Sequence, residues 1–262
     1  MPAQPDNPKS LASFEGRVAL VTGGGGDLGV AIGRRFRDAG ATVVLADVDG
    51  AKAGAAAGRL ANHGQGALGI AMDVADEASV TAAFAEVARR YGRLDVLINN
   101  AGIAARKASI ELAVEDWARV LAVNLTGTFL CSRAAARLMM TGHGGSIVNV
   151  ASIMGLVGNT LYANPAYHAS KGGIVNLTRA HAAEWAQAGI RVNAIAPTFV
   201  ETVLTARLLA EPGMREGILS RTPMGRLAQP GDIAEAVAFL ASDAAALITG
   251  IVMPIDGGWT TI

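Results

Sequence analysis

The stretch from Arg17 to Asp47 restricts the possible folds more than any other part of the chain. Arg17-Val-Ala-Leu-Val21 is a short apolar run, and Thr22-Gly-Gly-Gly-Gly-Asp-Leu-Gly29 follows it directly. A helical pattern then runs from about Leu28 to Ala39, with Leu28, Ile32 and Phe36 on one face, and stops at Gly40. Thr42-Val-Val-Leu-Ala46 is a second strand ending in Asp47. Strand, glycine loop and helix in that order aim free backbone N–H groups and a positive helix end at a pyrophosphate. A Cβ in the loop would hold the phosphates off the backbone, which is why glycine is needed. An acid roughly 20 residues past the glycines can accept both ribose hydroxyls of an adenosine and repel a 2′-phosphate. No Lys or Arg follows Asp47 at once, and Gly26 is not basic, so the reading is NAD rather than NADP.

The alternation continues. Ala67 to Met72 reads as a third strand ending in Asp73 and Val74, Glu77 to Arg90 as an amphipathic helix, and Leu94 to Ile98 as a fourth strand. That strand runs into Asn99-Asn100-Ala101-Gly102, a turn of small and polar residues suited to close backbone approach. Glu115 to about Met140 reads as one long helix with Asn124 in its middle, a mediocre helix former that needs a reason to be there. Ser146 to Val150 is a fifth, buried strand, Arg191 to Pro197 contains another, and Ile251 to Ile255 is the last. With no internal repeat and no linker-like stretch, the chain predicts a single doubly wound parallel sheet with helices on both faces. Residues 1–13 are expected to be a disordered arm, since the first ten hold three prolines and no apolar core; residues 14–262 form the domain.

Composition excludes several classes. Twenty-two basic and 22 acidic side chains in 262 residues give no field that seeks a polyanion, so nucleic acid is not expected as a partner. Cys131 is the only cysteine, which rules out an internal disulfide and fits a reducing, cytoplasmic setting. Leu138 to Ser170 lacks Asp, Glu, Lys and Arg, but its Gly, Asn, Ser and Pro content argues against a spanning helix. His63, His143 and His181 lack ligand spacing, so no metal is expected.

The chemistry is expected just past the fifth strand. Ser152 stands at its carboxyl end, where open α/β sheets place ligands. Tyr167-His-Ala-Ser-Lys171 opens a helical pattern running from Ala166 to Gln187. Positions i and i+4 share a helix face, so the Lys171 ammonium can sit beside the Tyr167 phenol. A nearby cation favours the phenolate and lowers a pKa that is ordinarily about 10. The plain alternative is a surface Lys lying along a ring.

Taken together, these residues resemble the short-chain dehydrogenase/reductase family, single-domain type, over essentially all of Gly16 to Ile262. Thr22-Gly23 to Gly29 resembles its cofactor loop and Asn99 to Gly102 its sheet-stabilising motif. Asn124, Ser152, Tyr167 and Lys171 match its catalytic tetrad in order. The resemblance implies a Rossmann-type sheet of seven strands, a homotetramer built on the two long helices and the C-terminal segment, and hydride transfer between nicotinamide and a secondary alcohol or ketone. Tyr167 would exchange the proton and Ser152 would hold the oxygen. Lys171 would lower the Tyr167 pKa and bind the ribose, and Asn124 would hold a relay water. The implied cofactor contacts are Gly23, Gly26, Asp27, Leu28, Gly29, Asp47, Asp73, Val74, Asn100, Ala101, Gly102, Tyr167, Lys171, Pro197, Val200 and Thr202, the last two gripping the carboxamide. Two positions depart from the pattern: Asp27 stands where glycine is usual, and is expected to turn away and cap its own helix, and Thr198 replaces the usual glycine after Pro197.

Substrate choice falls to Ser152, Met154, Asn164, Tyr167 and Phe199 and to a lid over residues 199–224, broken into two helices at Pro212-Gly213. Leu204, Leu208, Leu209, Met214 and Ile218 would make its inner face apolar, whereas Asn159, Thr160, Tyr162 and Asn164 offer polar partners. His168 is expected to be structural, and Trp259 and Ile262 are expected to bury against another subunit. The leading substrate is a sugar, polyol or small hydroxy compound. The alternatives are a 3-oxoacyl-thioester or other ketone reductase, a non-catalytic dinucleotide-binding regulator, and an assembly protein.

Overall fold

The structure, a computed structural model, describes residues 13–61, 66–142 and 144–262. All of the expected N-terminal arm except Ser13, together with His63, His143 and the side chain of Leu204, lies outside the described residues. The elements alternate as the apolar runs require: β1 (Val18–Thr22), α1 (Asp27–Asp38), β2 (Thr42–Asp47), α2 (Gly50–Leu60), β3 (Ala67–Ala71), α3 (Glu77–Tyr91) and β4 (Val96–Asn99). The second half adds α4 (Val114–Leu121), α5 (Gly127–Met140), β5 (Gly145–Val150), α6 (Pro165–Trp185), β6 (Ile190–Pro197), α7 (Val203–Leu209), α8 (Met214–Leu219), α9 (Pro230–Ala241) and β7 (Val252–Ile255). The seven strands form one sheet, order β3-β2-β1-β4-β5-β6-β7, every pair parallel. Strand order reverses between β1 and β4, and the crevice at that reversal is where such sheets bind ligands.

Period-2 alternation sorts the core into two layers. Ala19 and Val21 of β1 and Val43 and Leu45 of β2 face Ile32 and Phe36 of α1 and Ile233 and Val237 of α9. Val18, Leu20, Val44 and Ala46 face Val80, Phe84 and Val87 of α3 and Leu130, Ala135 and Met139 of α5. Each large side chain so enclosed contributes about 1.5–3 kcal/mol. A third cluster lies above the carboxyl end of β6. It joins Ile153, Met154 and Phe199 to Leu208 and Ile218 of the two short helices, with Leu209 and Met214 packed beside them. The inner face expected of the 199–224 segment is therefore apolar where it is described.

Two expectations change here. The helix predicted over Glu115 to Met140 is interrupted at Ala122–Thr126 by a π-turn, and Asn124 sits inside it, fully buried. Trp259 packs in its own chain, not against a second subunit: its ring lies 5.5 Å from that of Phe199 and is buried. Ile262 is exposed. No helix among the described residues is long and apolar enough to cross a membrane, and no cluster of potential metal ligands occurs among them.

Candidate active site

A cleft of about 760 Å³ opens across the carboxyl ends of β1, β4, β5 and β6. At one end the glycine loop turns tightly. Gly23 has φ +61°, and a Cβ on Gly29 would lie 2.3 Å from the Gly23 carbonyl oxygen. The loop is pinned from below: Asn100 donates to the Thr22 and Gly23 carbonyls at 2.9 and 3.2 Å, and the Thr22 hydroxyl accepts the Asn100 and Ala101 N–H groups. Asn99 reaches Ser132 and Asn149, both at 2.8 Å, so the turn ties β4 to β1 and to β5. The Gly24, Gly25 and Gly26 N–H groups are taken by Ala46, Asp47 and Gly23, and the loop so fixed sets the first turn of α1 at the cleft, the helix end a pyrophosphate needs.

Asp47 ends β2 with both carboxylate oxygens engaged, one by the Gly25 N–H at 3.0 Å and the other by the Asp49 N–H at 3.1 Å. Those bonds orient the group while leaving lone pairs for ribose hydroxyls. Lys52 also lines this end, a basic neighbour that the sequence reading passed over; it pairs with Asp49 at 3.4 Å. Asp27 does not cap its own helix. It opens α1, and its carboxylate accepts the Val203 N–H of α7 at 2.7 Å, joining the glycine loop to a segment 176 residues away. The charge lies in the first turn of α1 and at the start of α7, both positive helix ends where it is favourable.

The reactive groups gather in the middle of the cleft. Lys171 is buried and donates to the Val150 carbonyl at 2.6 Å, with its nitrogen 5.5 Å from the centre of the Tyr167 ring. The two side chains therefore share the face that their spacing predicts. Ser152 accepts the Met154 N–H at 3.1 Å, so its hydroxyl proton is turned to donate toward the Tyr167 oxygen. Burial decides the ionisation of the pair, against expectation. It pushes the Tyr167 phenol up to about 12, opposed by hydrogen bonding to Ser152, and it pushes the Lys171 amine down to about 8.

Asn124 lies behind this cluster, off the cleft wall. Its Oδ1 accepts the Ile103 N–H at 2.8 Å, and its amide donates to the Ile103 carbonyl and to Ser170 at 3.0 Å each. Asn124 can thus offer a water a lone pair but no N–H. A Cβ added to Gly102 would lie 3.5 Å from Asn124 Oδ1 and 3.6 Å from Lys171 Nζ, in ordinary contact with both.

Gly23, Gly26, Asp27, Leu28, Gly29, Asp47, Asn100, Ala101, Gly102, Pro197, Val200 and Thr202 all line the cleft, as do Ser152, Met154, Asn164, Tyr167, Lys171 and Phe199. Asp73 and Val74 do not: the Asp73 carboxylate accepts the Ala75 N–H, and Val74 packs against Gly127. Asn159 and Thr160 are also spent, one bracing its own turn and the other accepting from Arg221. His168 binds the Asn164 carbonyl at 2.8 Å, a structural role. Arg106 lines the substrate end and was not picked out from the sequence, because nothing in its immediate surroundings forms a motif.

A doubly wound sheet with a glycine loop, a carboxylate at the end of β2 and a Tyr-Lys pair in one cleft is the arrangement of an NAD(P)-dependent oxidoreductase. The chain belongs to the short-chain dehydrogenase/reductase family. Residues 26–260 match the family model described as enoyl-(acyl carrier protein) reductase. The chain is 46% identical to cis-4-hydroxycyclohexanecarboxylate dehydrogenase of Sinomonas cyclohexanicum, over 95% of this chain and 99% of that one. It is 44% identical to D-threitol dehydrogenase of Mycolicibacterium smegmatis, over 94% of each. A gluconate 5-dehydrogenase of Burkholderia cenocepacia, solved with NADP and tartrate, superposes with a TM-score of 0.91 at 35% identity, covering 96% of this chain and 99% of that one.

Proposed function

We propose that the protein is an NAD-dependent dehydrogenase of a small secondary alcohol, with Tyr167 exchanging the proton of the reacting oxygen. The observation that carries this reading is the convergence of Tyr167, Ser152 and Lys171 on the cleft that also holds the glycine loop and Asp47. Nicotinamide, when bound, supplies the hydride acceptor or donor. Gly23, Gly26, Leu28 and Gly29 would hold its pyrophosphate, Asp47 the adenosine ribose, and Val200 and Thr202 the carboxamide. The chain handles every proton. Tyr167 takes the hydroxyl proton during oxidation and returns it during reduction. Ser152 donates its hydrogen to the same oxygen and keeps it in line. Lys171, held by the Val150 carbonyl, sets the field around the phenol, and Asn124 fixes the loop at Ile103 behind it. The 199–224 segment acts as the lid, its ends held by the Val200–Ala228 bridge and by Asp27. The reverse reaction, reduction of a ketone or 3-oxoacyl thioester, is supported by the phenol that burial keeps protonated.

Cofactor choice tests the reading most directly. The wild-type enzyme is expected to prefer NAD over NADP by about 100-fold in kcat/KM, since a 2′-phosphate would meet the Asp47 carboxylate. Asp47→Ser removes that repulsion and leaves Lys52 as the nearest cation, so the preference should shrink at least about tenfold. A wild type that oxidises alcohols faster with NADP overturns the assignment.

The reading includes a cytoplasmic homotetramer. Trp117 on α4, Phe129 and Met140 on α5, and Leu247, Ile251 and Ile262 near the carboxyl end expose apolar surface, which a symmetric assembly would cover. Light scattering is expected to give fourfold the chain mass; a monomer at micromolar concentration would sink this part. Cys131, the one cysteine of the sequence, is buried as a free thiol, which supports a reducing compartment.

A further inference from the structure

The substrate end of the cleft carries a cation without a protein counter-charge. Three basic side chains line the cleft, Lys52, Lys171 and Arg106. Lys52 pairs with Asp49, and Lys171 is held by Val150. Arg106 forms no ion pair among the described residues. Lys107 pairs with Asp116, Arg215 with Glu201 and Arg226 with Asp232; Arg221, which donates to Thr160 and lies over Trp259, forms no ion pair among the described residues either, but it does not line the cleft. The carboxylates on the cleft wall, Asp27 and Asp47, both stand at the cofactor end and are engaged by backbone N–H groups.

Arg106 is exposed at the cleft, with its guanidinium carbon 5.6 Å from the centre of the Tyr162 ring. Tyr162 holds the guanidinium in place, by its ring and by a hydrogen bond to its hydroxyl, and a guanidinium carries five N–H donors, enough to serve a carboxylate as well. Its charge reaches the reactive group, since it acts to lower the Tyr167 phenol against the larger effect of burial. Met154, Tyr162, Phe199 and Leu208 make the adjoining wall largely apolar. The one deeply buried side chain there with an open polar atom besides Thr198 is Asn164, 3% exposed, whose Oδ1 has no partner. A polyol needs several polar partners along its length, and Asn159 and Thr160, which would have supplied them, do not line the cleft.

We propose that the substrate is a compact hydroxy acid, a secondary alcohol whose carboxylate is held by Arg106 and whose intervening carbons lie on the Met154, Phe199 and Leu208 wall. The inference rests on the oxidoreductase reading above. In the oxidation, the carbinol C–H leaves as hydride to nicotinamide, the hydroxyl proton passes to Tyr167, and a keto acid forms with its carboxylate unchanged. The 46% identical hydroxycyclohexanecarboxylate dehydrogenase acts on a compound of this class by name.

The test compares cis-4-hydroxycyclohexanecarboxylate, cyclohexanol and trans-4-aminocyclohexanol as substrates for the wild type, Arg106→Leu and Arg106→Glu, read by NADH absorbance. Arg106→Leu is expected to raise KM for the hydroxy acid by about 10- to 100-fold, and to change cyclohexanol oxidation far less, only through loss of the small pull of Arg106 on the Tyr167 phenol. Arg106→Glu should transfer the preference to the amino alcohol. Added salt should raise the wild-type KM for the acid and not for cyclohexanol. Equal changes for acid and cyclohexanol, or none for the acid, overturn the proposal. If Arg106→Leu fails to fold, Arg106→Lys decides: a retained preference for the acid upholds the assignment and a lost one overturns it. A wild type that oxidises cyclohexanol but gains nothing from the carboxylate defeats only this inference; one that oxidises no alcohol and does not bind NADH defeats the oxidoreductase reading beneath it.

Discussion

Tyr167→Phe lowers kcat about 1,000-fold while NADH binds as it does to the wild type. The substitution removes one oxygen and keeps the ring that packs beside Met154, Phe199 and Leu208, so neither fold nor cleft shape should change. What goes is the group that exchanges a proton with the reacting oxygen. The pH profile carries a second readout. Oxidation requires the phenolate, and burial holds the phenol near 12, so kcat/KM for the alcohol should climb as pH rises through the alkaline range. Reduction requires the protonated phenol and should be flat or falling over the same range. Lys171, lowered to about 8, gains its charge as pH falls through that value, which eases ionisation of the phenol beside it. The alkaline limb of the oxidation profile therefore belongs to the phenol. Tyr167→Phe should abolish the limb. Near-normal turnover in this variant, with NADH still bound, removes Tyr167 from the chemistry.

Gly29→Ala weakens NADH binding at least about 100-fold and costs about 1–3 kcal/mol of stability. The added methyl would stand 2.3 Å from the Gly23 carbonyl oxygen and 2.8 Å from Gly24 Cα, both backbone atoms that cannot rotate away. Gly24 is bonded to the Ala46 carbonyl at 2.9 Å, and Gly23 is held by Asn100. The loop can then relieve the clash only by moving outward, into the volume a pyrophosphate needs. Fluorescence titration with NADH and thermal unfolding measure the two effects separately. Unchanged affinity would show that the loop does not hold the cofactor.

The sheet was readable because its strands are short, β-branched and bounded by glycine or polar turns, a pattern that needs no tertiary information. The Tyr167–Lys171 pairing was readable for a similar reason, since helix geometry alone puts them on one face. The helices over 50–60 and 230–241 went unassigned. Gly50–Leu60 holds a single large apolar residue, and its contact with β3 is made by small ones: a Cβ on Gly69 would lie 2.5 Å from the Ala53 carbonyl carbon. Hydrophobic periodicity cannot register a face made of alanine. The π-turn at Asn124 follows from bonds to Ile103 and Ser170, both remote in sequence. The Asp27 bond to Val203 and the approach of Arg106 to Tyr162 likewise exist only once the chain is folded. The expected fall in the Tyr167 pKa failed because spacing reports proximity and says nothing of depth.

Ser152 and Lys171 are anchored at the end of β5, through the chain direction and the Val150 carbonyl, whereas Arg106, Tyr162 and Leu208 belong to segments outside the sheet. On the proposed reading, this division makes the enzyme easy to retarget: a combinatorial library confined to those three positions should exchange one alcohol for another while the proton-handling groups stay in place.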